Sequence, residues 1–271
     1  MTGSAEALAA ELAQAYAALP GVRAVALGGS RSMERADAES DLDLYVYSEG
    51  EVPLEARRTI AQDRADHAEV GNAFFESGDE WFERGSGQQV DVTFRRTDWL
   101  EDELARVLDR HQPSLGYTTA VWSNVLHARP LVDPQGWYAG VRARAAQPYP
   151  EALAQAIIAH NFPLLRGNIG AYPVQIALAV RRADLVAVNH RLAALLASVF
   201  DVLFALNRQP HPGEKRLLAY AADLPLCPPA FAAQVTAALT VTPDTLPELP
   251  ARVEALVDGL EDLLIQRGER P

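Results

Sequence analysis

Apolar residues recur at intervals of three and four at Leu8, Leu12, Tyr16 and Leu19, which predicts an amphipathic helix over 5–19 that ends at Pro20-Gly21. The period then shortens. Val22, Val25, Ala26 and Leu27 form a β-prone run that stops at the Gly28-Gly29 pair. Between 42 and 47 the chain alternates, with Asp41, Asp43 and Tyr45 on one face and Leu42, Leu44 and Val46 on the other, the pattern of a half-buried strand. Two more strands are expected at 80–83 and 89–94, on either side of the turn Arg84-Gly85-Ser86-Gly87. From about Pro148 helical spacing takes over, over 151–165, 184–207 and 252–267. The longest of these helices has Asp184 available as an N-cap and stops near Asn207, ahead of Pro210 and Pro212. A strong turn signal, Asp133-Pro134-Gln135-Gly136, lies between the two halves.

Composition narrows the class. Of 271 residues, 49% are hydrophobic and 22% charged, a mixture that folds and can fill two cores. The N-terminus is not basic and has no continuous apolar stretch, so neither a secretory signal nor a membrane span is expected, and a cytoplasmic setting is. The sole cysteine, Cys227, has no partner for a disulfide and no neighbouring ligand for zinc, and is expected as a small buried residue. Acidic residues outnumber basic ones by 36 to 24, a net charge of -12 that repels phosphate backbones and removes the attraction non-specific nucleic-acid binding requires. The same field attracts cations.

The chemistry concentrates in Leu27-Gly28-Gly29-Ser30 and, after a helix-sized gap, Ser40-Asp41-Leu42-Asp43-Leu44. A strand ending in two glycines lets backbone approach a ligand closely, and Ser30 adds a hydroxyl to outward-pointing amides, a combination that suits a triphosphate. Two aspartates one residue apart on a strand project from the same face and can hold a hard divalent cation. Asp91, flanked by valines in the 89–94 strand, is expected to face them from a neighbouring strand. A phosphate cradle beside such carboxylates is what nucleotidyl transfer needs, since catalysis there is largely positioning and charge neutralisation.

These residues, a Gly-Gly-Ser turn followed by Asp-x-Asp and a later strand acid, resemble the polymerase-β-like nucleotidyltransferase superfamily. The resemblance extends to bacterial enzymes that modify small molecules, such as kanamycin (aminoglycoside) and lincosamide nucleotidyltransferases, which carry antibiotic resistance. It implies that Gly28, Gly29 and Ser30 hold nucleotide phosphates, with Arg31 as the nearest cation, and that Asp41, Asp43 and Asp91 are the catalytic, metal-binding carboxylates for Mg2+ or Mn2+. Arg31-Ser32-Met33-Glu34 departs from the small turn of many relatives by placing an acid near the phosphates. The segment 204–218 resembles one in uncharacterised bacterial nucleotidyltransferases of this size, where Lys215 would contact the triphosphate. The segment 126–136 resembles the strand and turn at the domain junction. The fold expected is α+β: a nucleotidyltransferase domain over 1–140, with a mixed β-sheet flanked by helices, then a C-terminal helical bundle over 141–271.

The function implied is transfer of a nucleoside monophosphate, AMP from ATP or its equivalent from another NTP, to a hydroxyl-bearing small-molecule acceptor. Attachment of AMP to a protein, as in toxin-associated relatives, and a catalytically silent nucleotide-binding regulator are the alternatives, and a homodimer is compatible with the sequence. Asp91 is the first candidate for general base, with Glu76, Asp79 and Glu80 as unresolved options. Each residue also has a structural reading: Asp91 could pair with Arg95 or Arg96, Lys215 could be a solvated charge, and Tyr45, Tyr47, Phe75 and Trp81 could be core. The six histidines lack metal-ligand spacing, and His190 is expected to pack in its helix. No nucleophile elbow, Walker loop or dinucleotide fingerprint occurs.

Overall fold

A computed structural model of the chain describes residues 2–32, 40–74 and 76–269, with the side chains of all of these except residues 2–4 and Ser30. The fold is α+β, a mixed sheet with helices followed by a helical region. Two compact units are formed, one from residues 1–105 and 124–147, the other from 106–123 and 148–271. A cut at residue 140 would leave 106–123 in the first domain, whereas that segment belongs to the helical unit.

The first unit contains α1 (Thr2–Ala17), β1 (Val22–Leu27), the single turn α2 (Gly29–Ser32), β2 (Leu42–Ser48), α3 (Leu54–Gln62), β3 (Ala68–Asn72), β4 (Gly78–Phe82), β5 (Gln89–Arg96), most of α4 (Thr97–Leu108), the end of α5 (Ala120–His127), β6 (Arg129–Val132) and α6 (Trp137–Ala145). The six strands lie in the order β3-β4-β5-β2-β1-β6. β2 and β5 run parallel and every other neighbouring pair antiparallel. Leu42, Leu44 and Val46 of β2, Val90 and Val92 of β5 and Trp81 of β4 bury against Leu8, Leu12 and Tyr16 of α1 and Ala61 of α3. The alternation at β2 thus places its leucines inside and turns Asp43 and Tyr45 to the opposite face.

β3 was not foreseen, because its sequence, AEVGN, has no run of strong strand formers and its residues are nowhere fully buried. What holds it is polar. Arg57 of α3 grips Asp79 of β4 through Nε at 3.0 Å and Nη2 at 2.5 Å, and the Gly71 amide donates to the same carboxylate at 2.8 Å.

The second unit comprises α7 (Glu151–Leu165), α8 (Tyr172–Arg181), α9 (Leu185–Leu206), α10 (Leu217–Ala222), α11 (Phe231–Leu239) and α12 (Leu249–Gln266) around one apolar core. The Asp184 carboxylate accepts from the Ala187 amide at 3.0 Å, the N-cap its position predicts, a contact of about 1 kcal/mol. Contrary to the sequence expectation, α9 is long and apolar enough by composition to cross a membrane. Its apolarity has a local cause: every residue from Ser198 to Leu206 is buried in this unit. His190, expected to pack, lies on the exposed side of α9, and the buried histidine is His211. Cys227 is only partly buried, and burial pushes its thiol pKa up.

A buried polar cluster ties segment 106–123 to the helices. Asp201 of α9 accepts from the Thr118 amide at 3.0 Å and hydroxyl at 2.6 Å, and Asn161 of α7 accepts from the Gly116 amide at 3.1 Å. The Thr119 hydroxyl accepts from the His211 amide at 2.7 Å. Burial raises the Asp201 pKa to about 6, against the hydrogen bonds from Thr118, and burial lowers that of His211 to about 4.

The signs of these two shifts oppose. Between about 4 and 6 the folded state binds a proton at Asp201 that the unfolded chain does not, so this group's contribution falls as pH rises. Between about 4 and 6.5 the unfolded chain protonates a histidine that the folded state keeps neutral, so the His211 contribution rises with pH. Denaturant unfolding across this window is expected to show Asp201→Asn losing stability on acidification relative to the parent, and His211→Gln losing it on alkalinisation. Identical pH slopes in all three proteins would refute the assignment.

Candidate active site

The face of the sheet opposite α1 and α3 carries the predicted carboxylates. Parallel pairing sets Leu42 opposite Val90, Asp43 opposite Asp91 and Leu44 opposite Val92. Burial of the aliphatic partners fixes this register, because a slip of one residue in either strand would turn its aspartate into the core. The row continues beyond the pair. Asp91 faces Glu80 on β4, and Glu80 faces Glu69 on β3, so four acids stand in register across four strands, with Glu69 exposed at the edge. Asp41 lies just ahead of β2, part-buried.

The three proposed general-base alternatives are sorted by the same geometry. Glu76 is bound bidentately by Arg95, both bonds at 2.7 Å, and this guanidinium holds its carboxyl below the usual range. Asp79 is buried on the other face with Arg57. Glu80 alone of the three shares the face and row of Asp91. Its signal in the sequence was strand parity: in β4 the buried Trp81 and Asp79 leave Glu80 for the opposite side. Arg95 is thus committed to Glu76, and Arg96 to Asp98 at 2.5 Å.

The glycine pair sits directly on this row. The Gly28 amide donates to the Asp43 carbonyl at 2.9 Å. A Cβ on Gly28 would lie 2.3 Å from the Tyr45 ring, and one on Gly29 would lie 1.8 Å from Asp43 Oδ2. Gly29 also has φ +60°, where a side chain is disfavoured. Both positions therefore require glycine for the chain's own packing, and the result is a backbone turn seated against a carboxylate. The Ser30 side chain, Met33, Glu34 and Phe75 lie outside the described residues.

Arg31 holds the backbone ahead of β2. Its Nε donates to the Asp41 carbonyl at 3.0 Å, and its Nη2 donates to the Ser40 carbonyl at 2.6 Å and to Gln88 Oε1 at 2.9 Å. Gln88 in turn donates to the Ser40 carbonyl at 3.0 Å. The guanidinium fixes the segment entering β2, and with it Asp41. Nothing in the sequence marked Gln88, since its role depends on a contact 57 residues away.

Around the row, Tyr45 lies under Gly28 with the Arg95 guanidinium 4.5 Å from its ring, and burial pushes its hydroxyl pKa up to about 12. Tyr47 is buried against Tyr138 of α6, rings stacked 5.1 Å apart, and Trp81 is core. Lys215 is exposed in the helical unit, between α9 and α10.

The donor chemistry at Asp43 and Asp91, two carboxylates at facing positions, fits a hard divalent cation. Among the described residues, no three His, Cys, Asp or Glu side chains gather closely enough to hold one metal ion. The carboxylates that the sheet register sets opposite one another are thus a pair and not a gathered triad.

No family model matches this chain, and no curated protein matches its sequence. Among solved structures it is similar to a nucleotidyltransferase-like protein from Exiguobacterium sibiricum 255-15, with 12% identity and a TM-score of 0.46, covering 96% of this chain and 74% of that one.

The contact between Gly29 and Asp43 can be measured by a double-mutant cycle. Gly29→Ala is expected to destabilise by about 1–3 kcal/mol through left-handed strain and the clash. Adding Asp43→Ala should return part of that loss, leaving the backbone strain. Strict additivity in chemical unfolding would show that the turn does not rest on the carboxylate.

Proposed function

We propose that this chain is a divalent-metal-dependent nucleotidyltransferase, moving AMP from ATP onto a hydroxyl of a small molecule. The observation that carries this reading is the facing pair Asp43 and Asp91 with the Gly28-Gly29 turn seated on the Asp43 carboxylate. Like charges opposite one another on adjacent strands repel, and a cation held by both carboxylates would offset that repulsion. Asp43 and Asp91 would hold Mg2+ or Mn2+, with Asp41, fixed by Arg31, close by. A cation there supplies charge neutralisation at the α-phosphate and lowers the pKa of the attacking hydroxyl.

The chain's own groups do the rest. With the Gly28 amide taken up by the Asp43 carbonyl, the amides that follow it in the turn, those of Gly29 and Ser30, would hold phosphate oxygens beside the carboxylates. The acceptor oxygen forms its bond to the α-phosphorus as the bond to the β-phosphate oxygen breaks, and pyrophosphate leaves. Asp91, or Glu80 beside it, takes the hydroxyl proton. Glu80 and Glu69 extend negative charge across the sheet, which favours an acceptor that carries positive charge, the chemistry of an aminoglycoside-type antibiotic.

A screen with labelled ATP and Mg2+ against hydroxylated antibiotics and cell lysate tests the reading. Label in a small molecule supports it, and label in protein instead would redirect it to protein modification. Asp43→Asn and Asp91→Asn are each expected to cut transfer by several orders of magnitude while leaving the melting temperature equal or slightly higher, because each relieves repulsion. Retained transfer in these variants would reject the assignment, and loss of the fold would make the aspartates structural.

With the acceptor in hand, kcat/KM is expected to fall as ionic strength rises, since screening weakens the pull of the acidic face. A neutral acceptor used equally well at low and high salt would contradict the cationic assignment.

A further inference from the structure

Two loops of the helical unit, 111–119 and 207–216, are joined in a way that exceeds what a connection between helices needs. Four of their residues have left-handed backbone despite carrying side chains: His111 (φ 51°), Tyr117 (φ 54°), Arg208 (φ 53°) and Arg216 (φ 59°). Gly116 presses onto α9 so closely that a Cβ would lie 2.8 Å from that of Ala197. Beneath the first loop, Arg106 donates to the carbonyls of Gln112 at 2.8 Å and Thr118 at 3.1 Å, and Asn161 donates to that of Ser114 at 2.9 Å. Asp201 holds Thr118 from within the core.

The second loop is anchored by His211. Its ring is fully buried, Nδ1 accepts from the Gly213 amide at 3.1 Å, and Nε2 has no hydrogen-bond partner. An unmatched buried donor, a buried carboxylate and left-handed side-chain residues all cost stability. Such costs recur where a surface must be held rigid for a ligand.

The surface held here centres on Tyr117. Its ring is half-exposed, and its inner side meets the His211 ring edge-on at 4.9 Å. The turn 213–216 starts on the same histidine, since the Gly213 amide donates to His211 Nδ1, and burial and next the charge of Glu214 push the Tyr117 hydroxyl pKa up. That turn carries Lys215 and Arg216, both exposed.

We propose that Tyr117 and Lys215 form a nucleoside-phosphate contact surface on the helical unit, the ring stacking on the base and the ammonium meeting the phosphates. The choice of ligand rests on the nucleotidyltransferase reading, and the residue it adds is Tyr117. A planar ring on one loop and a cation on the loop packed against it match a planar base and its phosphate, and a preformed surface loses little entropy on binding.

The test measures equilibrium binding of ATP and of tripolyphosphate, which lacks the base, to the full chain with Mg2+. The proteins are the parent, Tyr117→Phe, Tyr117→Leu and Lys215→Ala. Both tyrosine substitutes keep a Cβ and hence the same backbone demand. Tyr117→Leu is expected to weaken ATP about tenfold, in the range of one aromatic stack, and to leave tripolyphosphate unchanged. Tyr117→Phe should bind both ligands as the parent does, and Lys215→Ala should weaken both. ATP binding unaffected by Tyr117→Leu, or tripolyphosphate lost to the same degree, overturns the role of Tyr117, and tripolyphosphate unaffected by Lys215→Ala overturns that of Lys215. Either result leaves intact the transferase reading, which the Asp43 and Asp91 variants test separately. A parent chain that binds neither ligand overturns both.

Discussion

The register of β2 against β5 is the constraint on which the site depends. Leu42 faces Val90 and Leu44 faces Val92 in a core that also buries α1, so the intervening Asp43 and Asp91 meet on the other face. Two negative charges at facing positions repel each other, so their mutual interaction does not set this arrangement. The apolar face imposes it, because a one-residue slip of either strand would bury that strand's charge at far higher cost. Core packing thus fixes the two carboxylates face to face, and the proposed cation site is argued from that placement.

The same logic orders the surroundings. Arginines are committed to particular partners on both faces of the sheet: Arg57 holds Asp79 on the core side, while Arg95 holds Glu76 and Arg31 holds the carbonyls ahead of β2. In the helical unit, Asp201 and His211 are buried groups whose titrations oppose one another, and they fasten loops whose backbone is itself strained. Stability is given up in both units to hold particular atoms still.

What could be read from the chain was local. The alternation at 41–47, the glycine pair after an apolar run, the aspartate before a long helical pattern and the valines flanking Asp91 each announce a structure a few residues wide. Physical reasons limited the rest. β3 is held by Arg57, Asp79 and Gly71 and not by its own apolar residues, so periodicity could not reveal it. Segment 106–123 joins the helical unit through Thr118 and Asp201, 83 residues apart, a contact without local signal. The bonds of Arg31 to the carbonyls of Ser40 and Asp41 and to Gln88 have no local signal, because they join residues 9, 10 and 57 positions away. His190 has apolar sequence neighbours but sits on the outer side of its helix, whereas His211, among prolines and polar residues, is the one enclosed.

The central claim is that Asp43 and Asp91 hold a divalent cation together with a nucleotide. It is tested most directly by electron paramagnetic resonance of Mn2+ titrated into the full chain, with and without a non-transferable ATP analogue. The account predicts that the parent binds Mn2+ far more tightly when the nucleotide is present, and that the Asp43→Asn, Asp91→Asn double variant, still folded, loses that enhancement. Equal Mn2+ binding by parent and double variant in the presence of nucleotide would contradict it.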